Sequence, residues 1–309
     1  MIHHKAPTLA GGAGDSIHDV AYDHYGKRLA TCHSSHVIKV WSEVFASQTK
    51  ETEWSQDGDP LEGHKGAVWK VDWAHPEYGQ VLASCGQDPQ IIIWEEREDE
   101  TGLKWHKVAS LKDGREQVNG IRFAPKQYGL CLATCSDDGF IRLFSADDVM
   151  NLDSWTLTDK FSTTGAALSL AWNQSRFDPQ MMAVGTEKQL QLWVKNETNR
   201  RWETTCVVNM NNAVHSVSWA SNLGRSYHLI AAAMSQSETV MVWKLLWDET
   251  KSSYSNIEQD AALECQTEVW SCEFNVTGNV LATSGDDGKV SLWRKYPTQI
   301  WNRIAQEHI

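Results

Sequence analysis

The sequence predicts an all-β protein, a β-propeller of six four-stranded blades spanning residues 16–309 behind a flexible tail at 1–15. Three observations predict it. A segment closed by an aromatic recurs six times at near-constant spacing. A strand-like stretch of period two precedes each copy. A polar loop and, in most units, another tryptophan-bearing stretch follow it. Units of this size, repeated around a ring, describe propeller blades. The repetition accounts for thirteen of the sixteen tryptophans of the chain.

Four of the closing segments align without gaps: ATCHSSHVIKVW (30–41), ASCGQDPQIIIW (83–94), ATCSDDGFIRLF (133–144) and ATSGDDGKVSLW (282–293). Two looser copies, AVGTEKQLQLW (183–193) and AAAMSQSETVMVW (231–243), fill the interval. The closing aromatics Trp41, Trp94, Phe144, Trp193, Trp243 and Trp293 stand 53, 50, 49, 50 and 50 residues apart. Upstream, SIHDVAY, AVWKVDW, QVNGIRF, AALSLAW, AVHSVSW and EVWSCEF each end on an aromatic with an apolar residue two positions before it. Alternation of that kind marks a strand with one buried face. Downstream, Trp54, Trp105, Trp155, Trp202 and Trp301 mark a fourth strand, and the fifth unit offers Tyr254 in a longer insertion. Gly, Asp and Ser turns join the strands.

In the second unit Asp88 sits in a turn six residues before Trp94, and Asp138 and Asp287 hold the same offset. These units resemble WD repeats, in which such an Asp bonds to an upstream Gly-His, and through a Ser or Thr to the tryptophan. By that resemblance the second unit alone carries a full structural tetrad, His64, Ser84, Asp88 and Trp94, with a packing role.

Composition narrows the function. A formal charge of −12 repels a phosphate backbone, and no basic run with interleaved aromatics offsets it, so direct nucleic-acid binding is not expected. No window is apolar enough to insert in a membrane. The opening MIHHKAPTLAGGAGD has no leader pattern, and the seven cysteines are expected as reduced thiols. The pairs Asp137-Asp138 and Asp286-Asp287 are turn residues, and no nucleophile elbow, phosphate loop or HExxH is present. Neither an enzyme nor a bound cofactor is expected.

Cys32, His33 and His36 lie within five residues, a spacing that raises a metal site. Aligned with the sibling units, Cys32 is an apolar strand position, while His33 and His36 are expected as solvated turn residues. The predicted metal set is empty.

Six units leave two arrangements open, a closed six-bladed ring and an open ring completed by a partner's blade. The open ring is the favoured expectation, because uncovered blade faces and strand edges invite added strands. Candidate residues on those faces are Ile17, Val20 and Leu29 in the first blade, with Val269, Leu281 and Val290 in the sixth. The insertion 247–266 is a candidate for a second contact.

VWKVDWAHPEYGQVLASC (68–85) resembles the sister open propellers of vesicle coats and nuclear-pore scaffolds, the Sec-thirteen and Seh-one families. The stretch 123–155, with DVMNL-x-x-W, is similar to the Seh-one family, as are SNLGRSYHLIAAA (221–233) and VTGNVLATSGDDGKVSLW (276–293). The resemblance covers nearly the whole chain. It implies a scaffold subunit of the Y-shaped outer ring of the nuclear pore. Its partner would be an α-solenoid nucleoporin inserting a blade in trans, beside other subunits of that complex. A second role is implied in a vacuolar or lysosomal complex upstream of the TOR kinase. The alternative is the vesicle-coat sister, acting in transport from the endoplasmic reticulum to the Golgi. Two departures stand out: Ser35 and Glu187 replace the turn Asp in the first and fourth units.

Overall fold

A computed structural model describes residues 15–46, 51–100, 102–112, 114–248, 253–296 and 300–308; the expected tail lies outside them except for Asp15. Six antiparallel sheets form the blades of a β-propeller. Blade 1 comprises Ile17–Tyr22, Arg28–His33, Val37–Ala46 and Glu51–Gln56, with Leu61–Glu62 also paired to its third strand. Blade 2 comprises Val68–Trp73, Val81–Gly86, Ile91–Asp99 and Gly102–Leu111. Blade 3 holds Val118–Phe123, Cys131–Ser136, Phe140–Asp148 and Asn151–Ser162. Blade 4 holds Ala167–Trp172, Met181–Thr186, Gln189–Lys195 and Trp202–Asn209. Blade 5 is built from Val214–Trp219, Tyr227–Met234, Thr239–Asp248 and Ser253–Glu264. Blade 6 is built from Val269–Phe274, Val280–Gly285, Lys289–Lys295 and Trp301–His308.

Each sheet is a meander, so the strands pair in sequence order from inner to outer. The inner strand of every blade carries a register shift at its first pair, as between Val68 and Lys70 or Val269 and Ser271. Such bulges add local twist at a strand end. The insertion expected at 247–266 is largely regular structure, because 253–264 forms the long outer strand of blade 5. Ile257 packs on the core shared with blade 4 and Ala261 on the core shared with blade 6, and the polar residues around them make the stretch read as a loop in sequence.

The chain divides into two units. One holds Met1–Asp138 with Arg142–Lys160, and the other holds Gly139–Ile141 with Phe161–Ile309. Within the first unit, Ala30, Cys32, Ile38 and Val40 of blade 1 pack on Val71, Trp73, Leu82 and Trp94 of blade 2. Ala83, Cys85, Ile91 and Ile93 then pack on Ile121, Leu132 and Phe144 of blade 3. The second unit repeats the rule. Ala183 and Leu192 of blade 4 meet Val217 and Ile230 of blade 5, and Ala231, Ala233, Val240 and Val242 meet Leu281 and Trp293 of blade 6. In these four pairs, the face carrying the closing aromatic turns toward the preceding blade. The alternate face turns toward the following one.

Candidate functional site

The blade 2 relay forms as expected. The Trp94 indole donates to Ser84 Oγ at 2.9 Å, and Ser84 Oγ lies 2.8 Å from His64 Nε2. His64 Nδ1 meets Asp88 Oδ1 at 2.8 Å, and Asp88 also accepts from the Lys65 backbone N–H at 3.0 Å. Burial pushes the imidazole pKa down against the pull of Asp88, so His64 is neutral at pH 7. A neutral ring donates from Nδ1 to Asp88 and accepts at Nε2 from the Ser84 hydroxyl. All polar ends are used inside the blade, and no substrate could reach them.

Blade 1 sets out a similar series from different residues, although the approach of His33 Nδ1 to Asp15 does not meet hydrogen-bond geometry. The Trp41 indole donates to Thr31 Oγ1 at 3.0 Å, and Thr31 Oγ1 lies 2.9 Å from His33 Nε2. His33 Nδ1 in turn lies 2.8 Å from Asp15 Oδ2. The histidine therefore comes from the second strand and the carboxylate from upstream, the reverse of blade 2. Ser35, in the vacant turn-Asp position, donates from its N–H and hydroxyl to Asp15 at 3.1 and 3.0 Å. Burial alone would raise the Asp15 pKa, but Ser35 and His33 hold it below the usual carboxylate range. The expectation of a solvated His33 is corrected: its side chain is fully buried. His36 is exposed at φ +69°, the left-handed turn geometry that Gly139 and Gly288 adopt in their blades. Cys32 and His33 are adjacent in a strand and point to opposite faces, so the trio cannot converge on one ion. Among the described residues no group of three His, Cys, Asp or Glu side chains is placed to hold a metal.

The remaining blades replace the histidine in several ways. Gly114 stands at its position in blade 3, and the Arg142 guanidinium fills that space and bonds Asp138. In blade 4 the Trp193 indole donates to Gln191 at 3.2 Å, and Gln191 donates to Thr164. In blade 5 the buried Trp243 N–H has no partner among the described residues. That blade is tied to blade 4 instead: Asp178 accepts from Tyr254 OH at 2.8 Å and lies 3.4 Å from His228 Nε2. Burial and the adjacent Asp178 push Tyr254 up to about 12. In blade 6 Trp293 donates to Thr283 at 3.0 Å, but Cys265 occupies the histidine position, and a small pocket remains against Thr283, Asp287 and Ser291.

The candidate interface residues divide by face. Ile17 and Val20 are exposed. Val20 is 45% and Tyr22 52% exposed, where Val71 and Trp73 of blade 2 are 0% and 9%. Leu29 shares the face of Tyr22 and Trp41, its cross-strand partners, but is itself buried. Val269 and Leu281 are likewise buried, because their face of blade 6 turns to blade 5. The other face of blade 6, on which no blade packs among the described residues, holds the residues of opposite parity, the cross-strand pairs Ala282–Leu292 and Ser284–Val290. All four are half-buried, whereas Ala231, Ala233, Val240 and Val242 on the matching face of blade 5 are fully buried. Of the sequence candidates on blade 6, only Val290 lies on that face. Parity relative to the closing aromatic was the signal that could have found the others.

The fold and these relays define a WD-repeat propeller. The WD domain, G-beta repeat family matches residues 6–42, 55–95, 105–145 and 259–294. The matched segments take in blades 1, 2, 3 and 6, leaving out the two whose closing tryptophans have Gln191 or no partner. A chain in the crystal structure of the mitotic checkpoint complex has the same fold, with a TM-score of 0.68 at 17% identity, over 93% of this chain and 76% of that one. Nucleoporin SEH1 of Xenopus tropicalis is 37% identical over 326 residues, covering 97% of this chain and 87% of the relative. Human nucleoporin SEH1 is 36% identical over 322 residues, covering 96% and 86%, and the Danio rerio protein is 37% identical over 319 residues, covering 96% and 85%. The chain belongs to the nucleoporin SEH1 family.

Proposed function

We propose that this propeller is a non-enzymatic scaffold subunit of the outer ring of the nuclear pore complex, and that it accepts a blade from an α-solenoid nucleoporin. The observation that carries the reading is that, among the described residues, one face of blade 1 and one face of blade 6 are each less buried than the matching faces of other blades. Val20 and Tyr22 of blade 1, and Val290 and Leu292 of blade 6, occupy positions that neighbouring blades bury elsewhere. Apolar strand faces of this kind favour a partner that brings its own strands, because added strands satisfy backbone edges and bury side chains together. The names of the relatives support the pore over the vesicle coat as its place of work. Its relay in blade 2 supports a structural role, since the His64–Asp88 contact is buried and used within the blade. Affinity purification with mass spectrometry tests the reading: outer-ring nucleoporins in stoichiometric yield support it, and recovery of coat subunits in their place overturns it.

A further inference from the structure

We propose that one end of blades 5 and 6 docks a basic peptide segment of a partner protein, with an arginine or lysine side chain seated over the Trp270 indole beside Asp286. This end is where the inner strands begin and the second strands finish, as the pairs Val214–Met234 and Val269–Gly285 show. Trp270 is 49% exposed on an otherwise polar surface. Its orientation is set twice: the His215 ring stacks on it at 5.1 Å and 27°, and its N–H donates to Asp286 Oδ1 at 2.5 Å. One edge of the indole thus carries a carboxylate, and indole surface remains open to solvent. An indole face attracts cations through its quadrupole, and a carboxylate at its rim adds Coulomb attraction.

The surroundings carry the matching charge. In blades 5 and 6 this end presents Glu238, Glu264, Glu268, Asp286 and Asp287 against Lys289 alone among the described residues. Glu268 is fixed close by, accepting from the Gln236 backbone N–H at 2.6 Å, and the Asp286 backbone N–H donates to the Glu268 carbonyl at 3.1 Å. Burial keeps His215 neutral at pH 7, so the stacked ring adds no opposing charge. An acidic field steers a basic segment, and the fixed indole gives it one defined seat. A peptide fits better than a bare ion, because the indole face contributes contact area that only a chain bearing side chains can cover. This site lies apart from the faces proposed to receive a blade, and does not depend on them.

Fluorescence anisotropy of a labelled Arg-Gly repeat peptide against the full chain tests the proposal. Saturable binding is expected, weakened about fivefold or more by Trp270→Ala and about threefold by Asp286→Asn, with Trp270→Phe retaining most of the affinity. Trp247→Ala, which removes an exposed tryptophan at the opposite end of blade 5, should leave the affinity unchanged. Melting curves confirm that each variant is folded. Equal binding by Trp270→Ala, equal binding of a Glu-Gly repeat peptide, or full displacement of the peptide by calcium chloride at matched ionic strength would each overturn the proposal. The last would assign the carboxylates to a metal ion.

Discussion

Asp15 Oδ2 approaches His33 Nδ1 at 2.8 Å, the same distance at which Asp88 Oδ1 meets His64 Nδ1, although the two pairs draw their members from opposite ends of the repeat. Both pairs end in a hydroxyl that accepts from the closing tryptophan. What blades 1 and 2 hold in common is therefore a carboxylate, an imidazole and a hydroxyl set in series before the closing tryptophan, and not the residues at aligned positions.

The equivalence can be measured. Asp15→Ala and Asp88→Ala each strand a buried imidazole, and each should cost roughly 1–3 kcal/mol in denaturant unfolding. Ser84→Ala and Thr31→Ala, which leave an indole N–H and an imidazole nitrogen unserved, should cost similar amounts. If Asp15→Ala were neutral while Asp88→Ala was not, the blade 1 relay would be an incidental contact.

Blade 6 offers the converse experiment. Cys265 leaves Trp293 and Thr283 without the imidazole that completes the relay in blade 2, and the pocket beside it is lined by Asp287. Cys265→His should rebuild the relay and stabilise the protein by about 1 kcal/mol. A loss of stability would show that the pocket cannot seat the ring.

Arg28 fastens blade 1 to blade 2 through two 2.8 Å bonds to Glu96, with Asp57 as a further partner and the guanidinium 5.5 Å from the Trp105 ring centroid. Both Arg28 and Glu96 are largely shielded from water. Arg28→Met keeps much of the stem and should still cost roughly 1.5–3 kcal/mol, since Glu96 loses its charged partner. Unfolding curves with Glu96→Gln alongside would show how far the two losses overlap.

Acid should loosen the fold before it reaches the range of the carboxylates. The pKa values of His33, His64 and His228 are all pushed down from 6.5, chiefly by burial. The unfolded chain therefore takes up protons that the folded chain refuses, so stability rises with pH through this range. Their contribution is complete above about pH 6.5 and falls away as pH drops through the depressed folded values. Thermal melts from pH 7.5 to 5.5 should show a declining midpoint, with a shallower slope in His64→Gln. An unchanged slope in that variant would mean that His64 is not held neutral.

Most of the architecture was legible in the sequence, because a repeat near fifty residues with fixed closing aromatics leaves few folds to choose from. The blade 2 relay was legible for the same reason. The blade 1 relay was not: Asp15 lies upstream of the aligned motif, and His33 falls at a position its siblings fill with Gly or Ser. Period two also tells which residues share a face, but not which neighbour that face meets. Val269 and Leu281 share the face that packs on blade 5, and Leu292 lies on the alternate one.

The blade-accepting role has the most direct test in co-expression of the chain with an α-solenoid nucleoporin, followed by size-exclusion chromatography. The account predicts one stoichiometric complex that Leu292→Asp and Val20→Asp both disrupt and Trp270→Ala does not. A complex that survives both charge substitutions would contradict it, as would a chain that stays monomeric beside its partner.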